Sequence, residues 1–390
     1  MESQTDHLEG DRARATRFGG LPTGLVIPLF GAGIFVAAGL VFLLEPMIAK
    51  ALLPTFGGAP QVWTAATVFF QAALLAGYGY AHLSTTRFGP RRGPLLHLAL
   101  LAAPVLLLPI AIRGGALVEG APPALAVVGI LALSIGAPFI VASATSPLLQ
   151  RWLSTIGHPG FEDPYFLYAA GNAGSLIGLL AYPFIVEPRF TVREQAILWS
   201  AGYIVFALLV GTVGAVVART ARASPAAGVV DRATDEAILR GVSSLDRRRQ
   251  LRWIVRAFIP ASLLLGVTNH LQTDIAAVPL LWVIPLAIYL LTFVLAFARR
   301  TLLPPRTAAA LLPLAAVAIL FTFLYAAAIP TPVLMAIHYG TFFIVAMLSH
   351  GQLAQDRPGA EHLTRFYLLL AVGGALGGLF NAIVAPQLFD

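Results

Sequence analysis

Two stretches of this chain share one pattern. Residues 366–380 read Phe-Tyr-Leu-Leu-Leu-Ala-Val-Gly-Gly-Ala-Leu-Gly-Gly-Leu-Phe, and residues 166–180 read Phe-Leu-Tyr-Ala-Ala-Gly-Asn-Ala-Gly-Ser-Leu-Ile-Gly-Leu-Leu. At a constant offset of 200 positions, Phe166 matches Phe366, Gly174 matches Gly374, Leu176 matches Leu376 and Gly178 matches Gly378. Glycines four residues apart on an apolar helix form a flat ridge. Against such a ridge a second backbone can approach closely, which is how helices associate in lipid. The feature predicts a chain of two related halves, with Gly174, Gly178, Gly374 and Gly378 as helix-packing positions. In repeated membrane proteins the working surface lies between the halves.

Composition supports a membrane reading. Hydrophobic residues make up 58% of the 390, mean hydropathy is +0.82, and only 11% of residues are charged, against about 25% in soluble domains. There is no cysteine, so disulfides, thiolate metal sites and thiol nucleophiles are excluded. The formal charge of +7 sits in loops and at span ends, which argues for membrane orientation and against nucleic acid. The segment Met1–Gly20 mixes acids and arginines and reads as a solvated tail with no cleavable signal.

The expected fold is all-α and polytopic, with about eleven transmembrane helices in two related bundles. Residues 1–24 form a cytoplasmic tail, 25–218 a first bundle of six spans, 219–252 a basic cytoplasmic linker, and 253–390 a second bundle of five. The spans fall near 25–49, 61–83, 94–112, 124–149, 165–186, 196–218, 253–274, 279–298, 307–328, 332–350 and 365–388, each close to the ~20 residues a bilayer requires. With the N-terminus inside, all but Lys50, Arg113, Arg189 and Arg193 of the 25 Lys and Arg residues lie on the inner side. That is the asymmetry expected of a bacterial inner-membrane protein with a cytoplasmic N-terminus. A counterpart of span six is expected just past Asp390. The second part of the linker, rich in arginine, reads as a basic helix on the membrane surface.

Polar residues inside spans are costly and mark candidate sites. Glu45 in span one, His270, Gln272 and Asp274 in span seven, His338 in span ten and Asn381 in span eleven all fall toward the outer side. His270 and Asp274, four apart, share a helix face, and aligning spans one and seven sets Glu45 opposite Gln272. These residues either reach headgroup water or form a vestibule that binds a small polar or cationic solute, with imidazoles able to relay protons. The ligand types would also suit a metal, but no tight spacing motif supports one. A second group, Ser143, Thr145, Ser146, Gln150, Ser349, His350 and Gln352, lies toward the inner ends of spans four and ten. Hydroxyls there are expected to bond to their own backbone. Asn172 reads as an interhelical donor, and Trp63, Trp152, Trp199 and Trp253 read as interfacial anchors. No nucleotide-binding turn and no Ser/His/Asp set on soluble scaffold is present, so neither a catalytic site nor a cofactor is expected. Haem or pigment ligation by His338 or His350 is a third reading.

The loop Leu83-Ser84-Thr85-Thr86-Arg87-Phe88-Gly89-Pro90-Arg91-Arg92 resembles the Asp-Arg-x-Gly loop signature of major facilitator transporters, with Thr86 in place of the acid. In that family spans one, four, seven and ten line the cavity, and these are the spans that carry Glu45, Ser143–Ser146, His270/Asp274 and His338. A broader resemblance rests on Leu44-Glu45-Pro46-Met47-Ile48-Ala49-Lys50, Pro54-Thr55-Phe56-Gly57-Gly58, Thr268-Asn269-His270-Leu271, Trp282-Val283-Ile284-Pro285-Leu286 and His350-Gly351-Gln352-Leu353. It is to the membrane portion of bacterial fused major-facilitator/spermidine-synthase-like proteins, without their cytosolic synthase domain. The resemblance implies a transporter-like protein whose solute could be polyamine-like. The alternative is a non-transporting subunit that anchors a cytosolic synthase-like enzyme or scaffolds a larger membrane complex.

Overall fold

The computed structural model describes residues 17–18, 21–57, 60–114, 120–155, 163–223, 245–272, 282–298 and 303–388. A short antiparallel ribbon, β1 (Arg17–Phe18) with β2 (Leu21–Pro22), precedes the helices. Among the described residues there are then eleven principal helices. In the first half these are α1 (Thr23–Phe56), α2 (Pro60–Arg87), α3 (Gly89–Ala102), α4 (Pro123–Thr155), α5 (Phe166–Arg189) and α6 (Val192–Ala223). In the second half they are α7 (Arg247–His270), α8 (Val283–Phe297), α9 (Pro305–Tyr325), α10 (Thr331–Gln355) and α11 (Leu363–Leu379). Lipid offers no hydrogen-bond partner, so each segment satisfies its own backbone by closing helical turns. Eight of the helices are long and apolar enough to cross a membrane. Arg92–Leu107 and Val283–Phe297 are shorter apolar helices. Helix α2 is long but more polar, carrying Gln71, His82, Thr85 and Thr86.

Chain turns follow from local chemistry. Helix α1 ends at Gly57, whose φ of +67° is a conformation side chains resist, and the Gly57 N–H closes the turn on Leu53 O at 2.9 Å. Gly89 (φ +60°) makes the tight α2–α3 corner. At the start of α7 the Asp246 carboxylate accepts from the Arg248 backbone N–H at 3.0 Å, the usual N-cap arrangement. Arg247–Arg256 therefore forms the first turns of α7, so the described basic part of the linker runs straight into the seventh helix. Residues 224–244 of the expected linker, and 1–16 and 19–20 of the expected tail, lie outside the described residues.

Two helix pairs pack backbone to backbone. Helix α5 lies on α1 and α11 lies on α7, the most extensive contacts of each half. A Cβ on Gly174 would collide with the Phe35 carbonyl, and one on Gly178 would stand 2.7 Å from Gly39 O. The second half repeats this: a Cβ on Gly373 would collide with Ile254 O, and one on Gly377 would stand 2.8 Å from Phe258 O. The contact register is thus one residue earlier than the sequence match. Gly374 has nothing within 4 Å of its Cβ direction, and Gly378 faces the Gln71 side chain of α2 instead. The same contacts pair Phe35 with Ile254 and Gly39 with Phe258. Carried along both helices, this register makes Leu264, not Gln272, the counterpart of Glu45. Past each ridge comes a π-helical turn, Tyr182–Val186 in α5 and Phe380–Val384 after α11.

The halves meet through α2 against α11 and α5 against α8. One large core, aliphatic with Phe30, Phe69, Phe70, Phe139, Trp152, Trp199, Tyr203 and Phe206 among its members, fills the first half, while a smaller cluster of Tyr165, Tyr168, Trp253, Phe293, Phe297, Phe366 and Tyr367 draws on both. Three tryptophans expected at the lipid interface are inside the protein. Trp152, Trp199 and Trp253 are buried, with Trp199 Nε1 donating to Leu40 O at 2.9 Å and Trp253 Nε1 donating to the Asp356 carboxylate at 3.1 Å. A buried indole N–H needs an acceptor, and both find one in the fold. The Trp63 side chain lies outside the described residues.

Candidate functional site

Between the halves, midway along the helices, lies a cavity of about 300 Å³. The first half lines it with Ala38, Val41 and Phe42 of α1, Gln71, Leu74 and Tyr78 of α2, Ala142, Ser143 and Ser146 of α4, and Tyr168, Gly171, Asn172 and Ser175 of α5. The second half supplies Ala257, Ala261, Leu264 and Leu265 of α7, Leu286, Tyr289, Leu290 and Phe293 of α8, and Leu370, Ala371, Gly374, Ala375 and Gly378 of α11. The glycine register explains the symmetry of this lining. Gly171, Asn172 and Ser175 on α5 correspond to Leu370, Ala371 and Gly374 on α11, and all six face the cavity.

No charged side chain is among these lining residues. An unpaired ion in such surroundings loses hydration, and the described lining residues include no carboxylate to pair with the ammonium groups of a polyamine. Several donors are already committed: Ser143 Oγ–H bonds to Ile140 O at 3.0 Å, and Asn172 Nδ2–H bonds to Tyr168 O at 2.9 Å. Asn172 therefore bonds within its own helix and does not donate across an interface.

On the linker side the cavity is closed. There α5 meets α11, and the Tyr168 and Tyr367 rings stack with centroids 4.7 Å apart. Beneath the stack, Tyr367 Oη donates to Gln150 Oε1 at 2.7 Å. Arg151 Nη1 donates to Ala360 O at 3.1 Å, Arg357 pairs with Asp163 at 2.5 Å, and the Thr364 hydroxyl lies 3.1 Å from His82 Nδ1 and 3.2 Å from Thr85 Oγ1. Each of these contacts joins one half to the other. Within the second half, Asp356 gathers Arg249 at 2.9 Å, Arg256 at 3.0 Å and the Trp253 indole. Thr86, in the position of the signature acid, donates to His82 O and Leu83 O of its own helix.

The residues singled out from sequence are divided among several places. Glu45 is half-buried on α1, one turn beyond Val41 and Phe42, and so continues the cavity-lining face away from the seal. The His270 and His338 rings come together with centroids 4.9 Å apart, near Phe323 of α9. They belong to the packing of α7, α9 and α10 and do not line the cavity. His338 Nδ1 donates to Leu334 O at 2.9 Å. Gln272 is half-buried just past the end of α7, and Asp274 lies outside the described residues. Asn381 ties α11 to α7: its Nδ2 donates to Ser262 O at 3.0 Å and Ser262 Oγ at 2.7 Å. No group of three or more metal-ligating side chains occurs among the described residues.

Three features go beyond the sequence reading, which names His350 only in the inner-end polar group and as a haem or pigment ligand. His97 of α3 is fully buried. Thr145 donates to Val141 O, so its oxygen accepts from His97 Nε2 at 3.1 Å, leaving Nδ1 to accept from the Tyr80 hydroxyl at 3.3 Å. His350 lies flat on Phe293 at 3.6 Å and bonds Thr292 Oγ1 at 2.9 Å, against the cavity wall. The third is the ring of polar cavity residues itself, Gln71, Tyr78 and Tyr289 among them. A histidine in an apolar span was the available signal for the first two.

No family model matches the sequence, and no curated protein matches it. Solved structures do. The proton:xylose symporter XylE of E. coli, bound to 6-bromo-6-deoxy-D-glucose, aligns over 94% of this chain and 89% of its own with a TM-score of 0.57 at 13% identity. A bacterial homologue of the iron transporter ferroportin, in an outward-facing state, aligns over 94% and 93% with a TM-score of 0.53 at 16% identity. The human organic anion transporter MFSD10 aligns over 93% of each chain with a TM-score of 0.52 at 15% identity. The chain has the major facilitator fold. Within the major facilitator fold, the cavity described above lies between the two halves of the bundle, and the seal lies at one end of it.

Proposed function

We propose that this chain is an alternating-access carrier in the bacterial cytoplasmic membrane, with its N-terminus and linker inside, moving a small solute through the cavity between its halves. The observation that supports this reading is the cavity itself, lined by both halves and, among the described residues, closed at one end by contacts that cross between them. Such contacts can break without unfolding either half. The domain division proposed is residues 25–218 and 253–390, each held together by its own glycine ridge. In this state the linker end is shut. Basic residues concentrated at that end favour its placement inside.

The chain's lack of cysteine makes the test clean. Spin labels on cysteines introduced at Thr155 and Glu361 report the width of the linker end. A carrier gives two distance populations in lipid, and Tyr367→Phe enriches the longer one. A single distance, unmoved by that change, would leave the alternative of an enzyme-anchoring subunit, whose function would then sit on the linker-end surface.

A further inference from the structure

The two walls of the cavity differ in kind. Of the residues lining it, the first half contributes a carboxamide on α2, another on α5, three serines and two tyrosines, while the second half contributes one hydroxyl, Tyr289, on an otherwise apolar surface. The difference holds at positions that the fold makes equivalent. Asn172 has Ala371 as its counterpart, Ser175 has Gly374, and the rest of the α7 and α8 wall is alanine, leucine and phenylalanine.

Resting on the carrier reading, we infer that the solute is an uncharged amphipath: it exchanges hydrogen bonds on one face and presents an apolar surface on the other. Three exclusions lead there. A charged solute finds no counter-charge among the described lining residues and would lose much of its hydration uncompensated. A solute polar all round would leave groups unpaired against the second wall, each carrying its full desolvation penalty. A solute apolar all round would strip water from Asn172 and Gln71 and return nothing. Bonds already made leave both kinds of partner on this wall. Ser143 spends its one proton on Ile140 O, and Asn172 spends one of its two amide protons on Tyr168 O, so their oxygens can accept and the second Asn172 N–H can donate. Hydroxyl groups on the solute, which do both, suit them. The volume of about 300 Å³ is at the small end of ligand pockets, which suits a small solute of one or two rings.

The test uses the full chain in lipid nanodiscs and four probe panels of matched size. One holds uncharged amphipaths (phenyl β-D-glucopyranoside and related aryl glycosides, nucleosides and aryl polyols). The others hold uniformly polar sugars, organic anions, and organic cations including spermidine. Equilibrium binding is read for each. The expected result is that the tightest binders come from the first panel, at least tenfold tighter than the best sugar or ion. Asn172→Ala, which copies the opposite wall, should weaken them about tenfold, and Leu264→Asn, which wets the apolar wall, should weaken them similarly. Thermal melts of both variants confirm folding. Tightest binding by an ion or a uniformly polar sugar overturns the inference, as does an amphipath panel without a binder. Proteoliposome counterflow separates the two readings. Amphipath binding without counterflow defeats the carrier and keeps the solute class. Counterflow of spermidine alone defeats the class and keeps the carrier.

Discussion

Tyr168 and Tyr367 stack on one another, ring centroids 4.7 Å apart and planes 26° from parallel. In the register set by Gly174 and Gly373 they are the same position in the two halves. The pair therefore marks where the repeat meets itself, at the floor of the cavity and the top of the seal. Opening a path from the cavity to the linker end requires these two rings to separate.

Tyr367→Phe keeps the stack but removes the hydroxyl that donates to Gln150 Oε1. A buried acceptor left unsatisfied costs about 1–3 kcal/mol, and here only the closed state bears that cost. The open population should rise roughly tenfold for each 1.4 kcal/mol lost. Accessibility of a cysteine placed at Ser154, one helical turn from Gln150, measures it, and an unchanged labelling rate would count against the latch.

The two Gly-Gly pairs separate the packing glycines from their neighbours. Gly373→Ala and Gly377→Ala drive a methyl into α7 and should destabilise the second half, with low yield and an early melt. Overpacking of this kind typically costs about 1–3 kcal/mol, and more where backbone is the obstacle. Gly374→Ala points into open space and should express and melt as the parent does. Equal behaviour of Gly373→Ala and Gly374→Ala would refute the register.

Asp356→Asn removes the charge shared by Arg249 and Arg256 while keeping a partner for the Trp253 indole. The carboxylate is partly exposed, so the expected loss is about 1 kcal/mol, less at high salt. Thermal melts at two ionic strengths check both the size and its screening.

Buried tryptophans do not meet lipid. In variants retaining Trp152, Trp199 or Trp253 alone, fluorescence should resist quenching by lipids brominated near the headgroup. Strong quenching at any of these positions would place that indole at the interface.

Much of the architecture was legible because lipid leaves few choices. Apolar runs of sufficient length become helices, and the eleven expected spans correspond to α1–α11. The glycine ridges were legible too, but not their register. Gly373 and Gly374 are adjacent, so Gly174 aligns with either, and only contact with Ile254 O decides. Glu45 was set opposite Gln272 by matching a few apolar letters, whereas backbone contacts make Leu264 its counterpart. The tryptophans misled because an indole near a span end has two homes, the headgroup layer and an acceptor inside the fold. Trp199 and Trp253 have the second. The cavity's polar wall was hidden for a related reason: a serine that bonds its own helix can still line a cavity, as Ser143 does.

The uncharged lining has a consequence for energetics at the scale of the cell. A membrane potential does work only on charge that crosses it, about 2.3 kcal/mol per elementary charge for each 100 mV. The described residues that line the cavity offer that field no formal charge to act on, and on the reading proposed above an uncharged solute would add none.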